Sequence, residues 1–281
     1  MALDQEFEQE LDETEGKEMS FLDHLEELRW HIIRSVASIL VFTIMAWIFQ
    51  KEIFGGIIMA PSKSTFWTNR MLCRLADLTG VEGLCFKQAD FVLQNREVSG
   101  QFMFALTQSI MVGLLFAFPY FFWEIWRFVK PGLKIKEAKA ATGAVFWVSM
   151  LFFTGVAFGY YVVSPMAINF LANFKLDESI QNQYDISDYL SLLSTMTLAC
   201  GVTFQLPMIA FVLSQVGVLT PAFMREYRRH AIVVILILAA VITPSPDMIS
   251  QLLVTLPLLA LYEVSIIVSA RVNKRRALEL L

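Results

Sequence analysis

Residues 101–122 read QFMFALTQSIMVGLLFAFPYFF, twenty-two positions without one aspartate, glutamate, lysine or arginine. As a helix rising 1.5 Å per residue the stretch is about 33 Å long, enough to cross the roughly 30 Å hydrocarbon core of a bilayer. Working outward, further apolar runs lie at about 31–49, 140–163 and 190–214, followed by two more at about 230–243 and 248–268. With 56% hydrophobic and 17% charged residues the chain is too apolar for a soluble domain. The expected fold is an all-α polytopic membrane protein with six transmembrane helices. The fifth span is short, since a helix from Arg229 to Pro244 rises only about 22 Å. Either the membrane thins there, or the last two helices form a shallow hairpin about Thr243-Pro244-Ser245-Pro246-Asp247.

Charge supplies an orientation. With the N-terminus on the cytoplasmic side, six spans return the C-terminus to that side, and Lys and Arg divide about fifteen inside to seven outside. Arg127, Lys130, Lys134, Lys136 and Lys139 fall in the first inner loop, Arg225, Arg228 and Arg229 in the second, and Arg271, Lys274, Arg275 and Arg276 in the tail. The dissenting charges sit in the long outer segment from Lys51 to Ser99, which the rule binds weakly. The formal net charge of −4 comes from the start of the chain, where eleven acids between Asp4 and Glu27 face one lysine, Lys17. Residues 1–19 are expected to be an acidic, disordered cytoplasmic tail, 20–269 a membrane domain with an extended outer loop at about 50–99, and 270–281 a basic cytoplasmic tail. The first apolar stretch follows acids rather than a basic segment, so the first span is expected to be retained.

Cys73 and Cys85 share the outer segment, whereas Cys200 lies in the fourth span. In an oxidising compartment the first two can pair, and two free thiols fit the sequence equally well.

Ser20-Phe21-Leu22-Asp23 reads as a capping box. After it Phe21, Leu25, Leu28 and Ile32 recur at helical spacing, with Asp23, Glu27 and Trp30 on another face. Those acids are either the wet face of an amphipathic helix or part of a site. Glu137 is the one acid among the bases of the first inner loop. Topology puts Glu27 and Glu137 on one surface, and two carboxylates held apart suit a ligand with two guanidinium groups, each taken in a bidentate pair that lysine cannot reproduce.

Within the spans, Gln101 and Gln108 share a face of the second, and Ser191, Ser194, Thr195, Thr203 and Gln205 lie along the fourth. Hydrogen bonding between helices accounts for most of them. Gln205 is the better candidate for a functional role, because Pro207 opens the local backbone bonding. Glu263 reads as an anchor between helices. Gly155 and Gly159 form a GxxxG that permits close contact. His24, His31 and His230 make no metal motif with the acids, and no phosphate loop or nucleophile elbow is present. A proton-coupled pump calls for an acid deep in the membrane, and the mid-span candidate, Gln205, cannot titrate.

Five stretches together carry a family resemblance: residues 21–29 (FLDHLEELR), 126–133 (WRFVKPGL), 158–165 (FGYYVVSP), 201–207 (GVTFQLP), and Leu238 through Gln251. In this order, spanning nearly the whole chain from Ser20 to Ser269, they resemble the signatures of the TatC family, the signal-reading core of the twin-arginine protein translocase. The resemblance implies a cup-shaped bundle in the bacterial inner membrane with both termini cytoplasmic. It implies a non-enzymatic receptor without cofactors, driven by the proton-motive force. Such a receptor binds the twin-arginine signal peptide of folded cargo and recruits small single-span subunits of the TatA/TatB type, with self-association, lipid contacts and no nucleic acid.

Carried over by motif, Glu27, Glu137, Phe128 and Arg29 are expected at the signal-binding site. Pro61, Phe102, Tyr160, Gln205 and Asp247 match structural or translocation positions. Many relatives have glutamate where this chain has Gln205, which removes a charge there and leaves a hydrogen-bonding role. Residues 62–96 form a longer outer loop than in familiar members. The competing classes are a small-solute secondary transporter and a structural membrane scaffold.

Overall fold

The computed structural model describes residues 21–63, 65–80, 93–129, 143–174, 176–177, 183–243 and 248–279. The first helix, α1 (Phe21–Ile48), runs without interruption from the amphipathic segment into the first span. A helical turn (Gln50–Ile53) and a π-helical turn (Phe54–Ile58) lead to α2 (Trp67–Thr79) in the outer segment. Then come α3 (Gly100–Val129), α4 (Ala144–Phe158), a second π-turn (Gly159–Val163) and α5 (Ser164–Asn173). The remainder is α6 (Ile186–Thr203), α7 (Leu206–Val216), α8 (Pro221–Glu226), α9 (Arg228–Ile242) and α10 (Met248–Glu279). Two-residue strands β1 (Leu93–Gln94) and β2 (Tyr184–Asp185) pair in parallel, Leu93 with Tyr184 and Gln94 with Asp185. Asp185 then caps α6 by accepting from the Ser187 amide, and its carboxyl is held below the usual range, chiefly by that backbone bond and then by the Ser187 hydroxyl.

Among the described residues, five helices are long and apolar enough to cross a membrane: 25–48, 100–129, 144–173, 186–216 and 251–275. The remaining expected span is α9, whose fifteen residues rise only about 22 Å, short as its sequence indicates. The outward faces are apolar as lipid requires: Leu40, Val41, Ile44 and Ile48 of α1 are each more than half exposed. Inward, Val163 and Ala167 meet Met196, Cys200 and Phe204 of α6, Ile235 and Ala239 of α9, and Val254 and Leu258 of α10 in one core.

Two spans differ from their sequence-based limits. The third continues past residue 163 to Asn173 through the π-turn and Pro165. Proline has no N–H to give the carbonyl four residues back, that of Tyr161. Thr68, just inside α2, donates its hydroxyl to that carbonyl, and Ser164 donates to the carbonyl of Gly159. The fourth span breaks at Phe204–Gln205, where α6 ends and Pro207 opens α7.

The outer segment is anchored to these spans. Phe66 stacks on Tyr161 with centroids 5.7 Å apart, and Asn169 donates to Asn69 at 2.8 Å in a buried contact. Cys73 is disulfide-bonded and Cys200 is a buried free thiol, while Cys85 lies outside the described residues.

Helix contacts depend on small residues. A Cβ on Gly155 would sit 2.6 Å from the Cys200 carbonyl, and one on Gly159 would sit 2.9 Å from that of Met196, so the GxxxG faces the α6 backbone. Gly113 of α3 does the same against α1, where an added Cβ would be 2.7 Å from the Thr43 amide nitrogen. Gly113→Val is therefore expected to cost about 1–3 kcal/mol through overpacking, read as earlier thermal unfolding in detergent. Gly56→Ala, with nothing within 4 Å of the new atom, is expected to stay within about 0.5 kcal/mol of the parent.

Candidate functional site

The helix pair α1–α3 positions the candidate residues, and its register follows from three contacts. Trp47 meets Phe102 edge-on at 5.7 Å, Thr43 faces Gly113, and His31 bonds Glu124. As the α1 number falls the α3 number rises, so the helices are antiparallel. Carried one turn beyond His31–Glu124, that register brings Glu27 level with Phe128.

At this end Glu27 is half-buried and Arg29 is exposed, its guanidinium 5.9 Å from the Trp30 ring. Phe128 is half-buried and presents its ring to His31, centroids 6.1 Å apart at 65°. Arg127 lies 5.0 Å over the Trp123 ring. Glu137 and Asp247 lie outside the described residues.

The positions expected to serve structure or translocation lie elsewhere. Pro61 is buried just after the first π-turn. Phe102 is 61% exposed at the opposite end of α3 from Phe128. Tyr160, in the second π-turn, donates its hydroxyl to the Ile57 carbonyl of the first at 2.6 Å, and Tyr189 donates to that of Ile58 at 2.7 Å. The structure therefore separates Glu27, Arg29 and Phe128 from Pro61, Phe102 and Tyr160.

Gln205 sits at the break in the fourth span and donates Nε2 to the Val148 carbonyl of α4 at 3.2 Å. Its Oε1 is buried with no hydrogen-bond partner among the described residues. Gln108 and Ser194 exchange two hydrogen bonds at 3.1 and 3.2 Å, joining the second span to the fourth. Glu263 pairs with Arg228 at 2.8 Å between α9 and α10, each about half exposed.

One residue went unnoticed in the sequence. Glu124 is 1% exposed and lies inside α3, and His31 Nδ1 is 2.5 Å from its Oε2. The apolar run of the second span stops at Phe122, but its helix continues to Val129 and takes Glu124 with it. The available signal was an acid two residues past an uninterrupted helical pattern, amid aromatic residues and with no turn residue between.

The profile of the family described as Sec-independent protein translocase protein (TatC) matches residues 23–257. The Sec-independent protein translocase protein TatC of Blattabacterium sp. subsp. Periplaneta americana is 36% identical over 265 residues, covering 94% of this chain and 99% of that one. The protein of the same description from Helicobacter pylori strain J99 is 36% identical over 250 residues, 89% of this chain and 88% of that one. Among solved structures, a crystal structure of the twin arginine translocase receptor TatC in DDM is similar with a TM-score of 0.67 and 27% identity, covering 87% of this chain and 98% of that one.

Replacing the Gln205 amide by a carboxylate removes the donor and turns two acceptors toward each other. Gln205→Glu is expected to cost about 1–3 kcal/mol at neutral pH, seen as a lower unfolding temperature in detergent that recovers on acidification, when a protonated carboxyl can again donate to Val148.

Proposed function

This chain belongs to the TatC family of Sec-independent protein translocase proteins, and on that premise we propose that it is the receptor for twin-arginine signal peptides. The observation that carries the reading is the register of α1 against α3, which brings Glu27 level with Phe128 at one end of the pair. In this reading the arginine pair docks on Glu27 and Glu137, Phe128 and Arg29 flank it, and the apolar part of the peptide runs toward Gln205. Carboxylates on two different elements take two planar guanidinium forks in bidentate fashion, and lysine offers only a point charge.

The site faces the cytoplasm of a bacterium, both termini lie on that side, and the chain sits in the inner membrane. The positive-inside division of lysine and arginine supports this orientation. Bound cargo then leads to recruitment of small single-span Tat subunits, with energy from the proton-motive force and no bond chemistry in this chain. Pro61, Tyr160 and Phe102 serve the outer face, and Asp247 the turn between the last two helices.

The competing reading, a small-solute transporter, takes the His31–Glu124 pair as a relay. That pair lies near a helix end: from Glu124 to Val129 is only about 7 Å along α3. A position close to one interface suits a receptor face better than a mid-membrane solute site.

Full-length protein in detergent is expected to bind a labelled twin-arginine peptide, and Glu27→Ala with Glu137→Ala to abolish that binding. A twin-lysine peptide is expected to bind at least about tenfold more weakly, the loss of roughly one bidentate charge-assisted contact. Equal binding of both peptides would refute the bidentate site, and unchanged binding by the double variant would refute the assignment of the site to Glu27 and Glu137.

A further inference from the structure

His31 and Glu124 lie 93 residues apart in sequence, yet their side chains meet at 2.5 Å with 8% and 1% of their surfaces exposed. Among the described residues the other ion pair, Arg228–Glu263, is half exposed. On the α1 side Ser35 donates its hydroxyl to the His31 carbonyl, one turn back in the same helix, at 2.8 Å. The second carboxylate oxygen, Oε1 of Glu124, is buried with no hydrogen-bond partner among the described residues. Tyr120, one turn back on α3, hydrogen-bonds the same carboxyl through its hydroxyl, and Arg127 is the further charged group that acts on it.

Burying an imidazole and a carboxylate is a poor way to gain stability. The desolvation of both groups offsets most of their attraction, and an apolar pair of similar volume commonly serves as well or better. What a polar pair supplies and an apolar pair does not is a penalty for misalignment, because any slide separates donor from acceptor in a medium with no water to replace them. The two other α1–α3 contacts that fix the register lack that property: at Gly113 it is a close approach of backbone to backbone, and at Trp47–Phe102 a ring edge.

Register matters most at this end. One residue of slip moves a helix 1.5 Å and turns the matching side chains by about 100°, which would carry Glu27 of α1 away from its level with Phe128 of α3. Phe128 is tied directly, since its ring meets the imidazole and it stands one turn beyond Glu124.

The geometry points to His31 and Glu124 as positioning residues: their buried pair locks the register of α1 against α3, so that Glu27 and Phe128 are presented together to a twin-arginine peptide. This rests on the receptor reading for the ligand, though not for the register itself.

The decisive comparison is between two replacements of the pair, made in the full-length chain in detergent. His31→Leu with Glu124→Met supplies apolar packing without alignment, and His31→Gln with Glu124→Gln supplies a hydrogen bond of similar reach. The apolar variant is expected to unfold no earlier than the parent yet bind the labelled twin-arginine peptide about tenfold more weakly, a coupling of ordinary size. The amide variant is expected to bind within about threefold of the parent, as rescue by a retained hydrogen bond demands. Parental affinity in the apolar variant, beside lost affinity in the Glu27→Ala, Glu137→Ala control, would overturn the positioning role and leave the receptor reading intact. Parental affinity in that control would strike the Glu27–Glu137 site instead, and no binding by the parent would strike the receptor reading.

A second measurement needs no peptide and survives poor folding of the apolar variant. Cysteines introduced by Glu27→Cys and Phe128→Cys are expected to be joined by a short bifunctional reagent, with efficiency falling at least about threefold when Glu124→Ala frees the register. Undiminished cross-linking would overturn the lock whatever the ligand.

Discussion

Water is absent from the hydrocarbon core, so a backbone N–H or carbonyl there must find its partner within the protein, and apolar side chains gain nothing by leaving lipid for one another. The first condition makes the spans helical. The second leaves close backbone approach and polar contact as the means of joining them. Gly113 brings α3 onto α1, Gly155 and Gly159 bring α4 and the following π-turn onto α6, and Gln108–Ser194, Gln205–Val148 and His31–Glu124 tie the same helices at defined points. Where regular helix fails, local donors repair it, as Thr68 does at the carbonyl that Pro165 leaves without its N–H.

Much of this was legible in the sequence. Uninterrupted apolar runs gave the long spans, the distance from Arg229 to Pro244 gave the short one, and the spacing of Gly155 and Gly159 gave a close contact without saying with which helix. Hydropathy was silent about continuity. An apolar window ends where a charge appears, whereas a helix ends where its hydrogen bonding does, and the two differ at Glu124 and again between Val163 and Asn173. The breaks at π-turns were equally hidden, because they arise from contacts such as Tyr160 with Ile57 that join residues about a hundred positions apart.

The candidate site was legible in kind and only partly in place. Glu27 and Phe128 belong to short motifs that carry the resemblance together with the other stretches, but that they stand level depends on which helices are neighbours. His31 made no motif with the acids and Glu124 went unnoticed, because neither has the other nearby in the chain. Pairing across 93 residues is a property of the packed helices. The two groups of sequence-selected residues, one at each end of α3, follow from the same antiparallel arrangement: Phe102 and Phe128 share a helix and cannot share a surface.

The two π-turns have a consequence for how such a chain can change over time. A π-turn holds one residue more than the α-helical turn it replaces, so it marks a place where a helix has accommodated a single inserted residue. Deleting one residue from Phe54–Ile58 or from Gly159–Val163 would restore regular winding and rotate everything beyond by about 100°. Because Tyr160 of one turn is bonded to Ile57 of the other, neither length can drift alone. Among relatives, these two segments are expected to gain and lose residues together, as a linked pair of lengths rather than as a pair of amino acids.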